Sequence, residues 1–590
     1  MIRRLLAEVK QYKKASILTP VSMIVEVLME TLIPFITAML IDQGINGAQG
    51  AQINQVLKYG AIMLAVAFVS LAGGYFGGKF GAEASAGFAA NLRKAMYRNI
   101  QTFSFSNIDK FSTAGLVTRM TTDVTNMQNA YQMCLRIAIR APLQLIFSII
   151  MCFVVNAEMA SVFMIALVFL SICLLIIMKV ASGRFDKLFK QYDAMNASVQ
   201  ENVSAIRVVK AFVREDYESQ KFTKAATAIK SFSINAEKIV NLNSPIMMLT
   251  IYACIIAISW LGARNIVAGS LTTGELTSMF SYVMTALMSL MMLSMIFVML
   301  TMSMASGRRI CEVLDEKADL TNPEKPIFEV KDGAIDFDHV TFAYKTGTGE
   351  ATLKDIDLHI RSGETIGIIG GTGCGKSSLV NLISRLYDVQ SGEVRVGGVD
   401  VRSYDMDTLR NEVAVVLQKN VLFSGSILEN LRWGKEDATL EECKEACEQA
   451  CATEFIDRMP EGYETHIEQG GNNVSGGQKQ RLCIARALLK HPKVLILDDS
   501  TSAVDTATDA KIREAFAKRI PGTTKLIIAQ RISSVQSADR ILVLENGEVN
   551  GFGTHDELLA SNEIYREIYE TQTKGGGDFD SPNQIGGAEV

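Results

Sequence analysis

TIGIIGGTGCGKSSLVNLISRLY, residues 365 to 387, passes from an apolar strand through a glycine-rich loop into a helical pattern. That order is the one a phosphate-binding loop needs, because the loop must leave the end of a buried strand and open a helix whose first amides face an anion. The loop comprises Gly370, Gly371, Thr372, Gly373, Cys374, Gly375, Lys376, Ser377 and Ser378. Gly370, Gly373 and Gly375 let the backbone wrap phosphate oxygens, Lys376 brings a cation to the β and γ groups, and Ser377 offers a hydroxyl to Mg2+. Cys374 reads as a spacer within this loop.

Further along, KVLILDDST is a buried strand ending in two carboxylates, which suits a parallel sheet that delivers Asp498 to a magnesium shell and Asp499 to the position of a base. Between these motifs lies NNVSGGQKQRLCIARALL, where Ser475, Gly476, Gly477 and Gln478 open a basic amphipathic helix. A helix start with serine and glycine amides is a second anion site. Spacing alone does not say whether both sites serve one nucleotide.

The 590 residues exceed one domain, and 48% are hydrophobic, with the apolar excess in the first half. Six windows there are long enough to span a hydrocarbon layer of about 30 Å: Ile17 to Ile41, Gly60 to Phe80, Ile137 to Val155, Met159 to Val180, Ile246 to Val267 and Ser278 to Met304. Arg3, Arg4, Lys10, Lys13 and Lys14 precede the first window, and the connections after the second and fourth are rich in Lys and Arg. The positive-inside rule puts these segments, and both termini, in the cytoplasm.

Each of those two connections has roughly 55 to 65 residues, enough for a pair of helices reaching beyond the bilayer, with tips expected near Asp109 to Ala114 and Phe212 to Tyr217. The second carries QENVSAIRVVKAFVRE, an amphipathic stretch suited to touching a cytosolic domain. The expected division is a six-helix transmembrane domain over residues 1–310, a linker over 311–328 with Pro323 and Pro326, a nucleotide-binding domain over 329–572 and a disordered tail over 573–590. A net charge of -5 excludes a global nucleic-acid-binding signature.

Two features of the membrane half bear on cargo. Glu26 and Glu30 are four apart in the first span and share a face, and carboxylates at that depth must look into a cavity or be satisfied by neighbouring helices. The last span carries Met279, Met284, Met288, Met291, Met292, Met295, Met299 and Met302, whose flexible thioethers suit varied apolar guests or simply fill the membrane. In the second half Cys443, Cys447 and Cys451 recur every four residues, which on a helix makes one face that could hold a soft metal but, with no fourth ligand nearby, reads as packed, reduced thiols.

GGTGCGKSS, Gln418, VSGGQKQR, VLILDDST, SAVD and Gln530, in that order, resemble ATP-binding-cassette proteins. With six preceding spans the chain looks like a bacterial type IV half-exporter of the multidrug kind over nearly its whole length. The resemblance implies a membrane α-helical domain followed by an α/β P-loop domain, ATP and Mg2+ as cofactors, and a place in the bacterial cytoplasmic membrane. It implies that Tyr344 stacks on adenine, Gln418 senses magnesium and the arms, and Asp505 crosses a dimer interface. Ser475 to Gln478 would contact ATP held by a partner chain, since two such domains sandwich two nucleotides.

The chain departs from that pattern at the hydrolytic step. Asp499 stands where the family has Glu, and Gln530 where it has His. Asp is shorter by about 1.5 Å, and a misplacement of ~1 Å can cost on the order of a hundredfold in rate. An amide hydrogen-bonds but carries no proton between groups. Binding should survive while turnover falls, which makes sense if the partner is a non-identical half-transporter bearing Glu and His. The expected activity is ATP-driven export of amphipathic small molecules. Lipid or peptide export, or an ATP-gated channel or regulatory subunit, are the alternatives.

Overall fold

The computed structural model describes residues 1–47, 50–344, 349–499 and 506–574. It divides into two units, one of residues 1–101 and 114–316, the other of residues 102–113 and 317–590.

The first unit is helical, with six helices among the described residues long and apolar enough to cross a membrane. They are built from α1 (Lys13–Met39), α2 (Ile53–Gln101), α4 (Val124–Val155), α5 (Ala157–Ser204), α6 (Glu215–Val240) with α7 (Asn243–Val267), and α8 (Thr273–Asp315); α3 (Phe105–Phe111) belongs to the other unit. Helix α2 runs 49 residues and α5 runs 48, so the apolar windows continue without a break into polar extensions. Asn156 turns the chain between α4 and α5, and its side chain caps Met159 N. Thr272 and Glu275 form a capping box that starts α8, which runs on through Asp315 into the stretch read as linker.

Helices α1 and α2 pack closely because glycines leave room: a Cβ on Gly77 would lie 2.1 Å from Met23 Cε. A buried core of Met159, Phe163, Leu170, Ile258, Tyr282 and Val283 joins α5, α7 and α8. At the polar end, Asp123, only 1% exposed, accepts from Arg309 Nε at 2.7 Å, and Arg119 pairs with Glu312 at 3.0 Å. The stretch QENVSAIRVVKAFVRE is not one helix. Helix α5 stops at Ser204, a short helix covers Ile206–Ala211, and Val213 at φ 51 makes the turn into α6. The second turn thus falls at Phe212 to Arg214, inside the stretch expected from sequence.

The second unit contains an antiparallel sheet and a mostly parallel one. The first sheet pairs β2 (Leu353–Ile360), β1 (Ile335–Phe342), β4 (Ser391–Val396) and β5 (Val399–Asp400) in that order. The second has β10 (Glu548–Gly553), β9 (Arg540–Glu545), β3 (Thr365–Gly370), β8 (Thr524–Ile528), β7 (Val494–Asp498) and β6 (Val413–Val416) side by side. All neighbours there are parallel except β9 with β10. Strands β7 and β8 are buried at every position, as uninterrupted apolar runs demand when both faces are covered.

Helix Leu440–Gln449 buries Cys443 and Cys447 in the core, but Cys451 lies beyond its end with φ 53, so the three thiols do not share a helical face. The helix stops before Ala450, and the chain turns there; the sequence period gave no sign of it.

Candidate nucleotide site

Four neighbouring strands, β3, β8, β7 and β6, end on the same edge of the parallel sheet, and each hands over a predicted site residue. The carboxyl edge of such a sheet is where ligands bind. Strand β3 runs into the glycine loop, and helix α9 (Lys376–Ile383) follows it. Gly375 at φ 99 is the N-cap of that helix; a Cβ there would sit 2.8 Å from Leu353 Cδ2 and 3.0 Å from Thr352 O. Only glycine fits both the left-handed backbone and the close neighbours. Lys376 Nζ donates to Gly370 O at 2.9 Å and Gly371 O at 2.8 Å, which holds the ammonium over the loop. Cys374 is buried with its sulfur 3.7 Å from that ammonium, consistent with a packing role. Gly371, Thr372 and Gly373 are exposed along the open side of the loop.

Ser377 Oγ donates to Asp498 Oδ1 at 3.1 Å, so the hydroxyl and the last carboxylate of β7 converge. Burial pushes the Asp498 carboxyl up; the Ser377 hydrogen bond opposes this, while Asp499 beside it adds to the rise. Hard oxygens brought together in this way are the donor set that suits Mg2+. Ser378 turns inward instead: its hydroxyl is 2.9 Å from Tyr344 Oη. The Tyr344 ring stands edge-on to Phe342 and to Tyr387.

The register places the remaining groups. Ile528 is paired with Asp498 across β8 and β7, and Val416 with Leu497 across β6 and β7. One or two residues further on, Asp499, Gln530 and Gln418 therefore meet. Gln530 Nε2 donates to Asp499 Oδ2 at 2.8 Å, and Gln418 Nε2 reaches the same oxygen at 3.4 Å. Asp499 itself has φ 48 and is tied by its amide to Ile528 O.

Elsewhere in this unit Ser475 caps helix α10 (Gly476–Leu488). Its hydroxyl accepts from Gln478 N at 3.3 Å, and the Gln478 side-chain oxygen accepts from Ser475 N at 2.8 Å. Ser475 and Gly476 are exposed, so this helix start is presented outward, beside Gly477. Asp505 lies outside the described residues.

The aromatic cluster holds residues that sequence reading did not single out. Tyr387 Oη donates to Asp109 Oδ2 at 2.9 Å, and its ring lies 6.2 Å from that of Phe105. Both partners belong to residues 102–113, and Asp109 begins the tip expected of the first arm near Asp109 to Ala114. Asn107 Nδ2 donates to Lys317 O at 3.0 Å, and Ser106 to Asp319 at 2.8 Å, which fixes the tip further. In the membrane unit, Glu26 and Glu30 share a face and both bind Arg140 of α4. A pair of arginines, Arg136 and Arg140, at the same spacing of four was the signal available in the sequence for that pairing.

A six-span helical domain in one chain with a parallel-sheet domain carrying a phosphate loop and a capped glycine helix start defines a membrane transporter driven by ATP. The model of the ABC transporter transmembrane region matches residues 16–304, and that of the ABC transporter itself matches residues 353–502. An uncharacterised ABC transporter ATP-binding protein of Bacillus subtilis (strain 168), YfiB, is 36% identical over 97% of this chain and 98% of its own length. An ATP-dependent lipid A-core flippase of Desulfotalea psychrophila is 32% identical over 82% of this chain and 84% of its own. The solved structure of a bacterial Atm1-family ABC exporter with ATP bound shares the fold, with a TM-score of 0.80 and 22% identity, over 95% of this chain and 98% of that one. The chain belongs to the ABC transporter family and has the architecture of an exporter half-transporter.

Proposed function

We propose that this chain is the nucleotide-retaining half of a heterodimeric exporter that moves amphipathic small molecules out of the bacterial cytoplasm by alternating access. The observation that carries the reading is the clasp of Gln530 and Gln418 on Asp499 Oδ2. In this reading the loop from Gly370 to Ser378 cradles the phosphates, Lys376 pairs with their charge, and Tyr344 stacks on adenine. Ser377, Gln418 and Asp498 would hold Mg2+, which supplies charge neutralisation between the β and γ groups.

Asp499 is short for a water-positioning base, and one of its oxygens is already engaged by two amides. Gln530 is spent on the same carboxylate and offers no imidazole to the γ-phosphate. ATP is therefore held and cleaved slowly here. Ser475, Gly476, Gly477 and Gln478, intact and outward-facing, would complete the competent site of a second, non-identical half-transporter that carries Glu and His, with Asp505 at the shared interface.

The steady-state ATPase of the purified pair tests this. Replacing the partner's Glu by Gln should abolish turnover, whereas Asp499→Asn should leave most of it; the reverse pattern, or brisk hydrolysis by this chain alone, would overturn the assignment.

A further inference from the structure

Four charged residues of the membrane unit, Glu26, Glu30, Arg136 and Arg140, lie where α1 meets α4. Arg140 Nη1 donates to Glu26 Oε1 at 2.9 Å, and Arg140 Nη2 donates to Glu30 Oε1 and Oε2 at 2.8 and 2.9 Å. Gln144 Nε2 adds a bond to Glu30 Oε2 at 3.2 Å. Both carboxylates are thus committed to one guanidinium, and Glu30 has both oxygens engaged.

Two groups are left over. Glu26 is 8% exposed, and its Oε2 is buried without a hydrogen-bond partner. Arg136, one turn from Arg140 on the same face of α4, forms no hydrogen bond or ion pair with any described residue, and its Nε is buried. Its stem runs past α2 and α1, since a Cβ on Gly81 would lie 3.1 Å from Arg136 Cδ and 3.3 Å from Thr19 Cγ2.

Two glutamates and two arginines balance formally, yet the balance is uneven in space. Arg136 acts on Glu26 through its charge but makes no hydrogen bond with a described residue, and its buried Nε is an unmet donor, which marks it as a group open to an anionic guest. A cationic guest could reach Glu26 or Glu30 only by drawing Arg140 off two carboxylates. An anionic guest meets Arg136 without breaking any existing pair, and guanidinium suits phosphate and carboxylate geometry.

We propose that Arg136 receives the anionic headgroup of an amphipathic cargo, while Glu26 Oε2 accepts a hydrogen bond from a hydroxyl or ammonium next to that group. This deepens the exporter reading by naming its substrate class, and it rests on that reading only for the word cargo.

The test is equilibrium binding to the full-length protein in phosphatidylcholine nanodiscs without nucleotide, followed by displacement of a dansyl-labelled fatty acid. Dodecyl phosphate should displace the label at concentrations at least about tenfold below those needed for dodecyltrimethylammonium, and Arg136→Gln should erase that preference with a roughly ten- to hundredfold loss, the size of one charge-assisted hydrogen bond. Arg136→Lys, which keeps the charge, should retain most of it. Equal displacement by the two detergents, or preference for the ammonium, overturns the proposal on the unaltered protein, whatever the variants do. Because binding is read without ATP, such a result leaves the exporter reading intact. A phosphate amphipath that binds here but is never moved in vesicles by ATP would sink the exporter reading instead.

Discussion

Gln530 donates its side-chain amide to Asp499 Oδ2 at 2.8 Å, so the two residues on which the proposal of slow hydrolysis rests are bonded to each other. A shortened carboxylate needs a neighbour within reach, and an amide fills that place while satisfying itself. Gln418 Nε2 reaches the same oxygen, and restoring one member of the pair without the other should do little.

Asp499→Glu with Gln530→His, introduced together, should raise residual ATPase by about ten- to a hundredfold in a pair whose partner's Glu has been changed to Gln, reflecting the ~1 Å gain in reach. The two changes together should give more than the product of the single ones. Phosphate release assays on the four combinations decide it, and a flat response would mean that the site is limited by something else.

Gly375→Ala puts a methyl group into a backbone at φ 99, against Leu353 and Thr352. The strain should cost about 1–2 kcal/mol in the stability of the nucleotide-binding unit and weaken ATP binding by at least roughly tenfold. Thermal unfolding and titration with a fluorescent ATP analogue read the two effects separately. An unchanged affinity would show that the loop does not need its left-handed turn.

Tyr387→Phe removes the hydroxyl that donates to Asp109 Oδ2 and keeps the ring. Asp109 is exposed, so the stability cost should stay within about 1 kcal/mol. The tip of the first arm would lose one of its ties to the unit that carries the nucleotide, and stimulation of ATPase by cargo should fall while basal turnover changes little. A parallel drop in both would assign Tyr387 a purely structural role.

Cys447 is buried, and burial pushes its thiol up to about 12, with Cys443 shifted in the same direction for the same reason. The thiolate is the reactive form, so raising the value leaves almost none at neutral pH. Iodoacetamide at about pH 8 should spare both residues in the folded protein and label them once it is unfolded by denaturant. Rapid labelling by mass spectrometry under native conditions would show that this helix opens or that the core is looser than described.

Much of the molecule was legible in one dimension. Five of the apolar windows fall within candidate spans and the sixth overlaps one, because crossing a bilayer needs length and apolarity, both local properties. Gly375 and Lys376 declared the phosphate loop because their chemistry depends on neighbours in sequence. The residues Asp499 and Gln530 were equally plain, since each stands at a position the family resemblance marks. The end of the helix before Cys451 was not, because one residue at φ 53 breaks a period that composition continues.

What tertiary structure alone decided is which of these residues touch. Asp499, Gln530 and Gln418 are brought onto one oxygen by the parallel register of three strands, and register is set by packing between segments far apart in the chain. Likewise the sequence placed Glu26 and Glu30 on one face, but only the approach of α4 gives both of them to Arg140 and leaves Arg136 without a hydrogen bond or ion pair among the described residues. Periodicity is a property of one segment, whereas a shared partner is a property of two, and no local rule contains it.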